Sequence, residues 1–216
     1  CIVVANHASY LDGVLLKAYL PLRFSFVIKF EMRDFAPAHF LLRRAGAKFV
    51  ERTDIKGSTR DARHIVRAAQ AGESLGFFPE GTFLEEPGVG RFRPGAFVAA
   101  IKGTMPVVPI AISGSRHMLP ANHFMPKRGP LTIDILPAIA PGDPEFASSR
   151  ALAEAARQRI LEAELRTALA AYKATERQLR VLLENERVLS NVAGRINEMM
   201  AYDMATVDED LIDDLA

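Results

Sequence analysis

The stretch IVVANHASYLDG, residues 2–13, decides how the fold is read. Ile2 to Ala5 is an uninterrupted apolar run, the pattern of a strand buried on both faces. The polar group Asn6-His7 ends it. A helix follows, since Leu11, Val14, Leu15 and Ala18 recur at helical spacing before Pro21. A buried strand that runs through a short polar turn into a helix is the repeating unit of an α/β layer fold. Such folds place chemistry at the carboxyl ends of strands, where His7 falls. Asp12 follows five residues later. On one continuous helix that step is about 500°, so the two side chains would point about 140° apart. They meet only if His7 lies in the turn and Asp12 in the first turn of the helix, with Ser9 as the candidate N-cap. A carboxylate so placed holds an imidazole in one tautomer and stabilises its protonated form, as in a general-base dyad. Ser9-x-x-Asp12 is equally a capping-box-like spacing. Spacing alone leaves both readings open.

The same alternation continues outward. FSFVIK (Phe24 to Lys29) and AKFVER (Ala47 to Arg52) read as strands. Ser58 to Gly72 reads as a helix with Ala62, Ile65, Val66 and Ala69 on one face and Gly72 as its cap. SLGFF ends as a strand at Pro79, PGAFVAAIKG is a helix closed by Gly103, and VVPIAI and LTIDIL are the last strands. The prediction is an α/β fold with a largely parallel, largely buried sheet flanked by helices. Pro109, inside VVPIAI, predicts an edge position or a bulge.

Composition sets outer bounds. The 216 residues are 49% hydrophobic and 25% charged, ordinary for a globular protein. The net charge of +1 hides an uneven spread, because the segment from Asp203 onward is acidic and lacks any basic residue. The remainder is moderately basic, which fits an anionic substrate or a lipid surface and is too little to argue for nucleic acid. A single cysteine, Cys1, excludes an internal disulfide and a cysteine-based metal site. The histidines His39, His64, His117 and His123 show no metal-ligand spacing, so no metal is expected. No apolar run approaches the ~18 residues of a membrane span. The start at Cys1, directly before a strand, reads as a fragment whose missing beginning can hold a membrane anchor.

FFPEGTF, Phe77 to Phe83, is the second informative stretch. Glu80-Gly81-Thr82 forms the turn after a strand. Gly81 permits a positive φ and close ligand approach, and consecutive N–H groups in such a turn can hold an anion. An ordinary strand-to-loop turn accounts for it equally well.

Taken together, the two stretches resemble the glycerolipid acyltransferase family that contains the 1-acylglycerol-3-phosphate acyltransferases. Asn6, His7, Ser9 and Asp12 match its Asn-His-x-Ser-x-x-Asp block, and Phe78 to Thr82 match its Phe-Pro-Glu-Gly-Thr block. Lys29, Gly46 and Arg52 look like its second block, and MPVVPIAISG, with Pro106 and Pro109, looks like its fourth. The resemblance covers about residues 1–140 and implies a mixed, largely parallel sheet followed here by a long C-terminal helix. It implies that His7 is the general base and Asp12 its orienting carboxylate. An acceptor hydroxyl would attack the thioester of acyl-CoA or an acyl carrier protein directly, and no cofactor is needed. Backbone N–H groups near His7 or Gly81 would meet the oxyanion. Glu80, Gly81 and Thr82 would bind a lysophosphatidic acid-like acceptor. Arg52 would clamp its phosphate, with Lys29 as a weaker contact. The third block usually continues Arg-Ser, whereas Phe83-Leu84 stand here. Arg91 or Arg93 of GVGRFRPGAF is the expected replacement. The resemblance also implies a place at the cytoplasmic face of a membrane.

Past Pro141 the character changes. The APGDPEFASS stretch is linker-like. A heptad then carries Leu161, Leu165, Ala168, Tyr172, Leu179, Leu182, Leu189, Ala193, Ile196 and Met200, with Thr175 and Glu186 as polar exceptions. This predicts a long helix over 148–202, as a coiled coil that can form a homodimer or as an amphipathic helix folded back on residues 1–147. An acidic, solvated tail is expected over 203–216. ERVLSNVAGRINEMMAYDM loosely resembles the helix leading into a sensory domain, which makes the alternative a coiled-coil-dimerised regulatory fusion whose first domain mainly binds lipid.

Overall fold

The computed structural model describes residues 1–20, 24–29, 48–50, 55–82, 88–120, 123 and 125–213. The elements, in chain order, are β1 (Ile2–Ala5), α1 (Asp12–Tyr19), β2 (Ser25–Lys29), β3 (Lys48–Val50), α2 (Ile55–Gln70), β4 (Leu75–Phe77) and α3 (Gly95–Gly103). They continue with β5 (Val107–Ser113), α4 (Ser115–Met118), β6 (Thr132–Ile135), a 3-10 turn (Pro144–Ala147) and α5 (Ser149–Asp213). The strands form one sheet in the order β3-β2-β4-β1-β5-β6. All its pairings are parallel except β5 with β6, so the sheet is mixed and largely parallel.

β1 lies between β4 and β5 and is buried along its whole length. Its pleat divides the core. Ile2 and Val4 face one apolar cluster, with Leu75, Phe97, Val107 and Ile139, while Val3 and Ala5 face another, with Leu16, Phe26, Ile110 and Ile112. A strand with apolar side chains on both faces needs a covered sheet, which is what the run IVVA requires. The end of β1 therefore delivers Asn6 and His7 from the most constrained strand of the sheet.

Pro109 is not on an edge strand, because β5 pairs with both β1 and β6. Its carbonyl accepts the Leu136 N–H at 2.9 Å, so its missing donor faces the same side, just beyond the end of β6. A bulge sits there. Between the Ile110–Ile135 pair and the Val107–Ile139 bridge, the returning chain uses one residue more than β5. The proline is tolerated where the ladder is already interrupted.

The chain divides into two compact units, Cys1–Thr167 and Ala168–Ala216. The first extends past the 147/148 boundary read from the linker-like stretch. Leu152, Ala156, Ile160 and Ala163 of α5 recur on one helical face and are buried in the larger apolar cluster. In the second unit α5 continues to Asp213, so the tail expected to be solvated or frayed is helical through that residue. Residues 203–213 contain neither Gly nor Pro to stop it. Leu179, Leu182, Leu189, Ile196 and Met200 there carry exposed side chains.

Leu152 is 0% exposed. Leu152→Ala should destabilise the first unit by about 2–5 kcal/mol in urea unfolding followed by circular dichroism. An unchanged midpoint would remove the start of α5 from the core.

Candidate active site

The turn between β1 and α1 is closed by its own carboxylate. Helix α1 starts at Asp12, and its N-cap position, Leu11, has no side-chain cap bond. Ser9 is therefore not the cap. Its hydroxyl donates to the Leu119 carbonyl at 2.8 Å and accepts the Leu11 N–H at 3.2 Å. Asp12 instead reaches back. Its Oδ2 accepts the Ala8 N–H at 2.6 Å and the Ser9 N–H at 2.8 Å, and it lies 2.9 Å from His7 Nδ1. Asp12 is 0% exposed. Oδ2 already accepts from two backbone N–H groups and is an acceptor in the third contact as well, which assigns the ring proton to Nδ1. In the neutral imidazole this puts the acceptor lone pair on Nε2. Phe78 stacks on the imidazole with centroids 4.4 Å apart, fixing the plane of the ring. Asp12 Oδ1 is buried with no hydrogen-bond partner among the described residues.

Glu80 joins two loops. Its Oε1 accepts the His7 N–H at 2.8 Å and its Oε2 accepts the Gly90 N–H at 2.8 Å. Both carboxylate oxygens thus hold backbone within the chain. Burial pushes its carboxyl above the usual carboxylate range, opposed by these two bonds. A Cβ at Gly90 would lie 2.7 Å from Glu80 Oε2 and would push that oxygen off the Gly90 N–H. Gly81 has φ +81°, but its N–H donates to the Phe78 carbonyl at 3.0 Å. The N–H groups of His7, Ala8 and Ser9 are likewise taken. The oxyanion donors expected near His7 or Gly81 are therefore already engaged at these positions, because the turn needs them to close.

Asn6 and two residues of α5 complete the surround, and sequence reasoning missed the latter. Asn6 is 2% exposed and exchanges two hydrogen bonds with the Ile112 backbone, at 2.9 and 2.8 Å. Its Nδ2 also donates to Glu164 Oε1 at 2.7 Å. Arg157 donates from Nε to the Gly90 carbonyl at 2.9 Å and from Nη2 to the Val89 carbonyl at 3.0 Å. Glu164 stands one helical turn after the buried Ile160, the only signal in the sequence that it faces inward. Arg116 of α4 acts electrostatically on both Glu80 and Glu164.

Glu80, Arg91, Phe92, Arg93 and Pro94 line a cleft of about 440 Å³. Arg91 and Arg93 are exposed there, and Thr82, in the preceding turn, is exposed as well. Lys29 is the last residue of β2. Arg52, Gly46, Phe83 and Leu84 lie outside the described residues. Among the described residues, no group of three or more His, Cys, Asp or Glu side chains is arranged to hold a metal ion.

A parallel-stranded α/β unit with a carboxylate-held histidine at the end of its central strand meets its family here. The acyltransferase family model matches residues 1–113, and the chain belongs to that family. Its relatives narrow the class further. A probable 1-acyl-sn-glycerol-3-phosphate acyltransferase of Mycoplasma genitalium is 31% identical over 133 residues, covering 59% of this chain and 49% of that protein. A lyso-ornithine lipid O-acyltransferase of Pseudomonas aeruginosa is 32% identical over 117 residues, covering 54% of this chain and 44% of that protein. The chain thus spans about half the length of the curated relatives it matches. The crystal structure of the 1-acyl-sn-glycerophosphate acyltransferase PlsC from Thermotoga maritima shares the fold. Its TM-score is 0.66 at 24% identity, over 77% of this chain and 66% of that one.

Gly90→Ala should lower stability by about 1–3 kcal/mol in denaturant unfolding, because the added methyl separates a buried carboxylate from its donor. A wild-type midpoint would show that Glu80 does not depend on that contact.

Proposed function

We propose that the protein transfers an acyl group from a thioester to the hydroxyl of a lysophospholipid, with His7 as general base. The observation that carries this reading is the 2.9 Å contact between His7 Nδ1 and the buried Asp12 carboxylate. Held there, Nε2 takes the proton of the acceptor hydroxyl as its oxygen attacks the thioester carbonyl. Asp12 stabilises the imidazolium that forms. Collapse of the tetrahedral intermediate breaks the C–S bond, and the imidazolium returns its proton to the leaving thiolate. The products are an ester and a free thiol, with no covalent acyl-enzyme. The donor is acyl-CoA or an acyl carrier protein.

The acceptor class draws on the relatives, one named for 1-acylglycerol-3-phosphate and another for a lyso-ornithine lipid. Their common feature is a singly acylated lipid with a free hydroxyl. We favour a lysophosphatidic acid-like acceptor, its headgroup in the cleft of Arg91 and Arg93 beside Glu80. Glu80 and Gly81 shape that cleft through the backbone, and Thr82, Arg52 and Lys29 are further contacts in this reading. Acceptors of this kind place the protein at a membrane surface. No helix among the described residues is long and apolar enough to cross a membrane. The exposed heptad row Leu182, Leu189 and Ile196 supports a homodimer through α5. It does not by itself favour the regulatory fusion, and the buried polar framework around His7 supports the catalytic reading.

His7→Ala should fold as the wild type does and lose about 10²–10⁴-fold in turnover, measured as thiol release from acyl-CoA with lysophosphatidic acid. Wild-type turnover would end this reading. The double variant Arg91→Ala/Arg93→Ala should raise the acceptor KM about tenfold with kcat little changed, consistent with loss of uniform binding. An unchanged KM would exclude these arginines as the phosphate contact.

A further inference from the structure

Glu164 sits on α5, far from the sequence blocks around His7, yet its carboxyl reaches the residue before His7. Oε1 accepts a hydrogen bond of 2.7 Å from Asn6 Nδ2. The other Nδ2 proton goes to the Ile112 carbonyl at 2.9 Å, and Oδ1 accepts the Ile112 N–H at 2.8 Å. The Asn6 amide is thereby locked between β5 and α5, with both protons used. A second route from α5 runs through Arg157, which holds the Gly90 carbonyl. The Gly90 N–H holds Glu80, and Glu80 holds the His7 N–H. The first turns of α5 thus brace His7 through Asn6 and through Glu80.

We propose that Glu164 is a positioning residue for acyl transfer, setting the Asn6 amide and so the turn that presents His7, and adding a negative charge that favours the imidazolium formed during reaction. The proposal rests on the reading of His7 as the base.

Among the described residues, Glu80 in the loop after β4, Asp12 in α1 and Arg116 in α4 act electrostatically on Glu164. Burial, then Glu80, then Asp12 push its carboxyl up to about 7, and Arg116 opposes them. The folded-state value lies above the ordinary 4.5 of an exposed Glu. The protonated form therefore favours the folded state. That advantage is complete below the unfolded value and is lost as the pH rises through the folded one. A glutamine would keep the acceptor oxygen for Asn6 and escape the repulsion. A purely structural contact would be better served by Gln.

The test uses Glu164→Gln and Glu164→Ala in the full chain, with acyl-CoA and lysophosphatidic acid as substrates. Glu164→Gln should stay within about twofold of wild-type kcat at pH 5.5 and fall about fivefold or more below it at pH 8.5, with KM for the donor unchanged. Its Tm should match the wild type at pH 5 and exceed it by a few degrees at pH 8.5. Glu164→Ala should lose about tenfold in kcat at both pH values, and Gln should restore most of that loss at pH 5.5. A pH-independent ratio of wild-type to Glu164→Gln turnover overturns the proposal. So does a Glu164→Gln variant no more stable than wild type at pH 8.5, and this holds even if Glu164→Ala does not fold. A wild type that transfers no acyl group, with the Tm difference present, would instead strike the acyl-transfer reading and leave the Glu164–Asn6 link standing.

Discussion

One carboxylate oxygen organises the site. Asp12 Oδ2 takes the Ala8 and Ser9 N–H groups and the His7 Nδ1 proton together. The two backbone bonds fold the chain from strand into helix, and the third fixes the imidazole. Each is a hydrogen bond to a charged group, worth about 1.5–3 kcal/mol where a neutral one gives about 1. Asp12 is fully buried, so an ionised carboxylate without these donors would be expensive. The folding of the turn and the orientation of the imidazole are therefore the same event.

The rest of the architecture holds that turn still. β1 is central and parallel to both neighbours, so its carboxyl end has little freedom. Three later segments then grip the residues that follow it. β5 takes Asn6 through the Ile112 backbone, the loop after β4 takes His7 through Glu80, and α5 takes Asn6 through Glu164. The arrangement gathers carboxyl groups in a partly buried space. Both Glu80 and Glu164 are pushed above the ordinary carboxylate range by it. Stability lost there accompanies a rigid, carboxylate-lined surround of His7, the group proposed to act as base.

Much of this was legible in the sequence, for physical reasons. Apolar runs of a few residues separated by helical spacing forced a covered, largely parallel sheet, and IVVA and VVPIAI proved to be neighbours in it. The five-residue step from His7 to Asp12 allowed contact only if the helix began late, and it begins at Asp12. Other features were hidden. Ser9 looked like a cap because residue type does not reveal which partner a hydroxyl finds, and it found Leu119. Pro109 signalled a bulge or an edge, and only the register separates the two. Gly81 looked open to a ligand, but its N–H closes its own turn. The partner of Glu164 was hidden because its contact with Asn6 spans almost the whole first unit, and a carboxylate on a charged helix normally faces water.

The most direct test of the central claim is the protonation pattern of the His7 ring. Nitrogen NMR of the selectively labelled protein, at a pH where the imidazole is neutral, reads which nitrogen carries the proton. The account predicts the proton on Nδ1, in its bond to Asp12, with Nε2 as the lone-pair nitrogen, and loss of that preference in Asp12→Ala. A neutral ring protonated on Nε2, or a tautomer ratio indifferent to Asp12, would contradict it.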